Sequence, residues 1–383
     1  MLERDSLPGI GFVSWFVGAG DSFTLFTGKE GRSGELVLQV DLNHLEVSED
    51  DYEPQVAVID QLAEILPEAN GKPYLAAFAL THPDLDHCRG FGDLIKKVAV
   101  GELWVTPRIF EEYKTEFSDD AEAFRKEADR RLKIAIKGGA KSGDRIRVIG
   151  HKDVLGSEPY SDLPDSAKSE IGTAVESIDG HDIVGRFAVV FCGPAEADDD
   201  ADRNDTSLAM QVTLTDGHCS QHFLLLGDLT HEALGNLFEN ADSSHVEFDV
   251  VVVPHHCSKG ALFDSDGKAD KKVVEGLKTA KAKEGWAVAS SPPIPNSDRK
   301  NADPPHRVAW DEYAKIFGAD HIVCTGSHGS KKDPDPVLFA VGDPCGYLRP
   351  EAEDTAASTD LGRDVERARP RPKPSKHSGY GRR

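Results

Sequence analysis

At 383 residues the chain allows one large domain or two, and its 39% apolar content is ordinary for a globular protein. No stretch offers the roughly 18 uninterrupted apolar residues of a membrane span, and the N-terminus lacks a basic segment followed by an apolar one, so no membrane association and no export are expected. A formal net charge of −23 argues against broad, non-specific binding to duplex nucleic acid, whose phosphates such a surface repels. Six cysteines (Cys88, Cys192, Cys219, Cys257, Cys324 and Cys345) form no CxxC pair. That pattern points to reduced thiols in a cytoplasmic protein.

In chain order, residues 10–16 and 23–26 read as a hairpin around Gly18-Ala-Gly20, with a further strand over 36–40. Apolar residues at Val56, Val58, Ile59, Leu62 and Leu66 predict a helix over 55–66 that Pro67 ends. Residues 74–80 are an apolar strand, 90–95 begin a helix and 102–106 form a strand. This alternation indicates α/β layers. Residues 107–139 are expected to be mainly helical, with Ser118 as a start signal and Gly138-Gly139 as a stop. The polar stretch 151–182 is expected to be of low order, so that 107–182 reads as an insertion. Strands follow over 187–191, 208–214, 222–226, 248–253, 286–289 and 321–325, with helices over 230–238, 269–284 and 308–317. Residues 196–205 read as an acidic, solvated loop. From about 350 the chain is rich in Pro, Arg and Lys and nearly devoid of apolar residues. A disordered tail over 350–383 is expected, outside a domain spanning 1–349.

The most informative stretch is Thr81-His82-Pro83-Asp84-Leu85-Asp86-His87. It places four metal-competent side chains directly after a core strand, at the edge where parallel α/β sheets usually carry their sites. Two imidazoles and two carboxylates suit zinc, manganese or a mixed pair.

The spacing resembles the His-x-His-x-Asp-His motif of the metallo-β-lactamase-fold hydrolases, with Asp84 where most members have a second histidine. That His-x-Asp-x-Asp-His form is similar to the hydrolase domain of ComEC-type DNA-uptake proteins and their soluble relatives. Other segments agree in order: Val17-Gly-Ala-Gly-Asp21, Asn204-Asp-Thr-Ser-Leu208, Phe223-Leu-Leu-Leu-Gly-Asp228 and Val253-Pro-His-His-Cys-Ser-Lys259. The resemblance implies an α/β fold, the four-layer αββα sandwich, and two divalent metal ions, zinc or manganese.

By the same resemblance His82 and Asp84 hold the first ion, Asp86 and His87 the second, and Asp228 bridges them. His255 or His256 completes the second site, the family pattern favouring His255. A histidine that many members place before the bridging Asp has no counterpart in Val190-Phe-Cys-Gly-Pro194, which leaves the third ligand of the first ion open: Asn204 or Asp205 approaches instead, or the ion is weakly held or completed by substrate. Asp41, at a strand end, is expected to orient a ligand histidine. Asp86, His306 and Lys259 form the expected catalytic set. Asn204, Ser207, Ser258 and His256 are expected to contact substrate, and His306 to start a helix whose N–H groups face a phosphate.

These expectations favour a soluble metal-dependent hydrolase acting on phosphodiesters, in nucleic acid or a nucleotide-derived molecule. A hydrolase of a small ester, lactone or amide uses the same chemistry, because fold does not fix substrate. A non-catalytic interaction module is a third reading, which an intact donor set disfavours.

Overall fold

The computed structural model describes residues 3–348 apart from 5–6, 29–33, 46–55, 111–116, 194–203, 301, 329–334 and 343–345. The basic tail expected over 350–383 and most of the acidic loop expected over 196–205 lie outside the described residues.

Two sheets are built in succession. The first opens with the antiparallel strands β1 (Gly11–Ser14), β2 (Phe23–Phe26) and β3 (Val37–Val40). It continues with β4 (Lys72–Ala79), β5 (Ala99–Val105), β6 (Arg145–Gly150) and β7 (Lys168–Glu170), each parallel to the strand before it. The second holds β8 (Ala174–Val175), β9 (Phe187–Gly193), β10 (Ala209–Thr215) and β11 (Ser220–Leu225), all antiparallel. It then turns parallel through β12 (Phe248–Val252), β13 (Lys281–Ala289) and β14 (Ile322–Cys324). Finally β15 (Val337–Ala340) and β16 (Gly346–Leu348) return to the first sheet beside β1.

The helices are α1 (Val58–Ile65), α2 (Leu85–Cys88), α3 (Phe91–Lys97), α4 (Asp119–Lys137), α5 (Lys152–Leu155), α6 (His231–Asn240), α7 (Lys271–Ala280) and α8 (Arg307–Phe317). Three apolar layers assign them to faces. Between the sheets, Phe12, Leu25, Leu38 and Ala77 meet Val189, Met210, Phe223 and Val250. On the outer face of the first sheet, Leu75, Phe78, Leu103 and Val148 pack against Val58, Leu62, Phe91, Phe124 and Leu132 of α1, α3 and α4. On the outer face of the second, Leu224, Val251 and Ala287 pack against Leu234, Leu237, Val273, Leu277 and Tyr313 of α6, α7 and α8. Strands buried on both faces must be apolar throughout, as Leu75–Ala79 and Val250–Val253 are. The architecture is the expected α/β, four-layer αββα sandwich. Among the described residues no helix is long and apolar enough to cross a membrane.

Local chemistry explains the boundaries. The Ser118 hydroxyl accepts the Ala121 N–H at 3.2 Å, and Asp119, Asp120 and Glu122 occupy the positive end of α4. Gly138, at φ 79°, ends that helix.

Residues 151–182 depart from the expectation of low order. They contain α5, β7 and β8, each of these strands extending one sheet, and bury Tyr160, Leu163, Val175 and Ile178. A polar network fastens the segment. Arg147 on β6 donates to Glu102 on β5 (2.8 Å), to the Ser169 hydroxyl (3.1 Å) and to the Ser177 carbonyl (2.9 Å). The other Glu102 oxygen accepts the Asp179 N–H at 2.6 Å, and Asp179 accepts the Tyr74 hydroxyl, also at 2.6 Å.

Breaking a buried ion pair from one side strands the partner charge. Arg147→Met is expected to cost about 3–5 kcal/mol, because it leaves Glu102 unpaired, whereas Glu102→Leu combined with Arg147→Met should recover much of the loss. Denaturant unfolding at pH 7 measures both variants. A loss below about 1 kcal/mol for Arg147→Met would show that the network does not anchor the insertion.

Candidate metal centre

The site forms where the C-terminal ends of strands from both sheets meet. Asp41 follows β3 and His82 follows β4; Asp228 follows β11, and His255 and His256 follow β12. Local packing brings the connecting loops together. A Cβ at Gly20 would collide with the Asn43 side chain and the Asp86 carbonyl, so only glycine lets the loop carrying Asp21 dock there. The Asp21 N–H then bonds the Asp86 carbonyl at 3.1 Å, and the Ser290 hydroxyl donates to the Gly20 carbonyl at 2.7 Å.

The two oxygens of Asp228 divide the donors into two sets. Oδ1 lies 3.3 Å from His87 Nε2 and 3.7 Å from His256 Nε2, and that His256 nitrogen lies 3.3 Å from Asp86 Oδ2. Oδ2 lies 3.9 Å from His82 Nε2 and 3.6 Å from His255 Nε2, with Asp84 Oδ2 3.7 Å from His82 Nε2. Within 4.8 Å of one another stand donors of His82, His87 and Asp228, and likewise of Asp86, His87 and His256.

The donor atoms fit a cation. His82 Nε2, His87 Nε2, both ring nitrogens of His256 and Asp228 Oδ1 are buried and have no hydrogen-bond partner among the described residues. So many convergent, unsatisfied donors are costly unless a ligand satisfies them.

The sequence pattern favoured His255 for the second set. The structure puts His256 there and turns His255 to the first, whose third ligand the sequence leaves open. The cause is backbone geometry. His255, His256 and Cys257 have φ of 50°, 52° and 67°, three successive non-glycine residues in the left-handed region. That winding points the adjacent imidazoles in different directions, with ring planes at 88°. It costs about 1–3 kcal/mol per residue, the kind of strain that clusters at functional sites.

Behind the donors lies a second layer of carboxylates. Asp41, fully buried, accepts the Thr81 N–H (2.8 Å), the Thr81 hydroxyl (2.6 Å) and His87 Nδ1–H (2.8 Å). Thr81 Oγ1 is 3.1 Å from His82 Nδ1. Asp41 therefore orients His87 directly, as its strand-end position suggested, and His82 through Thr81. Behind His256 stands Asp21, with Oδ1 3.2 Å from Nδ1 as an ion-pair contact. Asp21 was not singled out as a site residue; Gly-Ala-Gly-Asp directly before a short strand was its only local signal.

Ser207, Ser258, Asn204, Lys259 and His306 stand outside the two donor sets. Ser207 is buried and accepts the Asp228 N–H at 3.2 Å, so it positions the carboxylate. Ser258 Oγ accepts the Gly260 N–H. Asn204 is half-buried and opens a short 3-10 turn over Asn204–Thr206. Lys259 is exposed, and its ammonium has no carboxylate partner among the described residues. His306 is 3% exposed, with Nδ1 accepting the Lys259 N–H at 3.3 Å and Nε2 3.1 Å from the Ala302 carbonyl. Its ring is engaged within the protein, and burial holds its pKa down. The α8 N-terminus does not face a phosphate either, since Asp298 accepts the N–H groups of Arg307 (2.5 Å) and Val308 (3.1 Å).

Charge follows the same geometry. Burial pulls the pKa of His87 down, but Asp228, Asp41 and Asp86 outweigh it and hold it well above 6.5. His256 is raised in the same way by Asp228 and Asp21 against its burial. Burial and the neighbouring His87 lower His82. The imidazoles drive Asp228 well below the carboxylate range, despite its burial.

No protein-family model and no curated protein matches the chain. Among solved structures it is similar to a B3 metallo-β-lactamase with an active-site glutamic acid, at 12% identity over 73% of this chain and 86% of that one, TM-score 0.34. It is also similar to unliganded yeast PDE1, at 12% identity over 82% and 97%, TM-score 0.34. A third is an archaeal metallo-β-lactamase superfamily protein from Sulfolobus tokodaii, at 15% identity over 80% and 95%, TM-score 0.29.

Metal ligands must shed their protons, so cation binding competes with protonation of His87 and His256. Cation uptake at neutral pH is expected to release protons and to weaken as pH falls. For the metal-free protein the raised histidines contribute stability fully below pH 6.5 and lose it as pH rises through their folded values. Metal-free protein should therefore lose stability above pH 6.5 relative to cation-loaded protein. Thermal unfolding of both forms from pH 5 to 9 tests this, and parallel curves would contradict it.

Proposed function

We propose that the chain is a metal-dependent hydrolase of phosphodiesters, acting on a nucleotide-derived molecule or on nucleic-acid ends. The carrying observation is the division of the Asp228 oxygens between two donor sets at one mouth. In this reading His82, Asp84, His255 and Asp228 hold one divalent cation, and Asp86, His87, His256 and Asp228 the other, as zinc or manganese. Such a pair supplies Lewis acidity and a water acidified towards neutrality. Asp84, Asp86 and His255 are the partly exposed donors, so substrate enters past them.

Two features support phosphodiesters. Asp84 replaces a histidine of the usual motif by a hard oxygen donor, the form similar to ComEC-type hydrolases. Lys259, exposed and without a carboxylate partner among the described residues, follows the histidine pair and offers a charge to an anionic substrate. The net charge of −23 favours a small substrate over a long polyanion.

The test is hydrolysis of bis-p-nitrophenyl phosphate, single-stranded DNA, RNA and a lactone by protein stripped of metal and reloaded with manganese or zinc. Phosphodiester turnover, absent after stripping, is expected; lactone turnover alone would select the alternative. Asp228→Ala should lower turnover by more than about a hundredfold, beyond the usual cost of losing an outer ligand partner, with circular dichroism unchanged. Asp84→His should move the metal preference from manganese towards zinc. An unchanged ranking in a folded variant would remove Asp84 from the ligand set.

A further inference from the structure

The left-handed turn His255–Cys257 is the least self-sufficient part of the site. Within it the Ser258 N–H returns to the His255 carbonyl at 2.8 Å. Among the described residues, the backbone of 254–259 is tied to more distant parts of the chain at three points. The His255 N–H bonds the Gly227 carbonyl at 3.0 Å; the other two bonds both end on His306. The His306 N–H donates to the Cys257 carbonyl at 3.0 Å, and its Nδ1 accepts the Lys259 N–H at 3.3 Å. One residue thus grips the chain on both sides of Ser258, immediately after the three strained residues.

The ring is itself fixed. Nε2–H donates to the Ala302 carbonyl, which forces Nδ1 to be the acceptor. His306 occupies the N-cap of α8, yet its side chain makes no cap bond, and Asp298 caps the helix instead. The imidazole is thereby left to the turn.

We propose that His306 is a positioning residue that holds the wound conformation of His255 and His256, and so keeps the two imidazoles on separate oxygens of Asp228. This rests on the metal-site reading above. With both ring nitrogens spent on backbone groups, His306 transfers no proton to substrate. Without the ring, the Lys259 end of the turn is released, the two imidazoles lose their fixed directions, and cation binding weakens.

The experiment compares wild type, His306→Ala and His306→Asn, the last keeping an acceptor oxygen near the Nδ1 position. Manganese and zinc affinities are measured by titration calorimetry, and bis-p-nitrophenyl phosphate turnover from pH 5.5 to 9. Alanine is expected to weaken cation binding about tenfold, as removal of outer supports does, and to lower kcat with KM little changed. Asparagine is expected to restore most of both, and all three pH profiles, at saturating cation, should keep one shape. If asparagine fails to rescue and a limb of the profile disappears, His306 is a proton donor and the proposal falls. If alanine binds cations as wild type does, the proposal also falls. If wild type binds no divalent cation, the metal-site reading fails first. Should alanine not fold, asparagine alone decides: near-wild-type affinity and profile shape uphold the proposal, and a lost limb overturns it.

Discussion

The site depends on one buried carboxylate. Asp41 has φ 54°, is inaccessible to solvent, and ends β3 beside β4. Its N–H bonds the Ala79 carbonyl at 2.9 Å, and its carboxylate accepts the Thr81 N–H, the Thr81 hydroxyl and His87 Nδ1–H. A buried carboxylate needs such donors to offset desolvation. Here those donors carry two of the site's imidazoles: His87 directly, His82 through Thr81. With Nδ1–H committed on His87, only Nε2 faces the cavity, which is the tautomer a cation requires. The pairing that stabilises the interior therefore also fixes the chemistry of the mouth.

The sandwich supplies the remaining order. Parallel strands of each sheet run their C-terminal ends to the same edge, and the inter-sheet core holds the two edges at a fixed distance. Asp228 comes from one sheet, His82 and His87 from the other. Their separation is thus set by apolar packing that no loop motion can relax, since close-packed cores transmit displacement. Left-handed strain at the site falls on Asp41 and on the His255–Cys257 turn, which the surrounding hydrogen bonds hold in place.

What could be read from residues alone follows the range of the interactions. His82, Asp84, Asp86 and His87 are legible because they share a few residues after an apolar strand, and Asp228 because it ends another. The division of His255 from His256 was not, because adjacent residues carry no directional signal until the backbone winds left-handed. Asp21 was obscure because its partners, Asp86 and His256, lie far along the chain. Strand β6 was missed because Arg145 and Arg147 interrupt its apolar pattern; their partners, Asp179 and Glu102, come from outside the strand. The same distant pairing hid the order of 151–182, whose polar composition resembles a loop until Arg147 satisfies it.

Electrostatics links this construction to the acidity of the whole chain. Asp21, Asp41, Asp84, Asp86 and Asp228 crowd around buried imidazoles on a molecule of net charge −23. Without cations, the raised pKa values of His87 and His256 favour their protonated forms, which offset part of that charge. If the proposed pair of divalent cations binds, it would replace those protons with more charge at the same positions, raising the local potential where the acidic surface does not change. An anionic substrate is then attracted only at short range, within roughly a Debye length of about 8 Å. That range is too short for a groove tracking a long polyanion. For the proposed phosphodiesterase, the balance of charge therefore favours a small substrate, or the end of a chain, over the interior of a duplex.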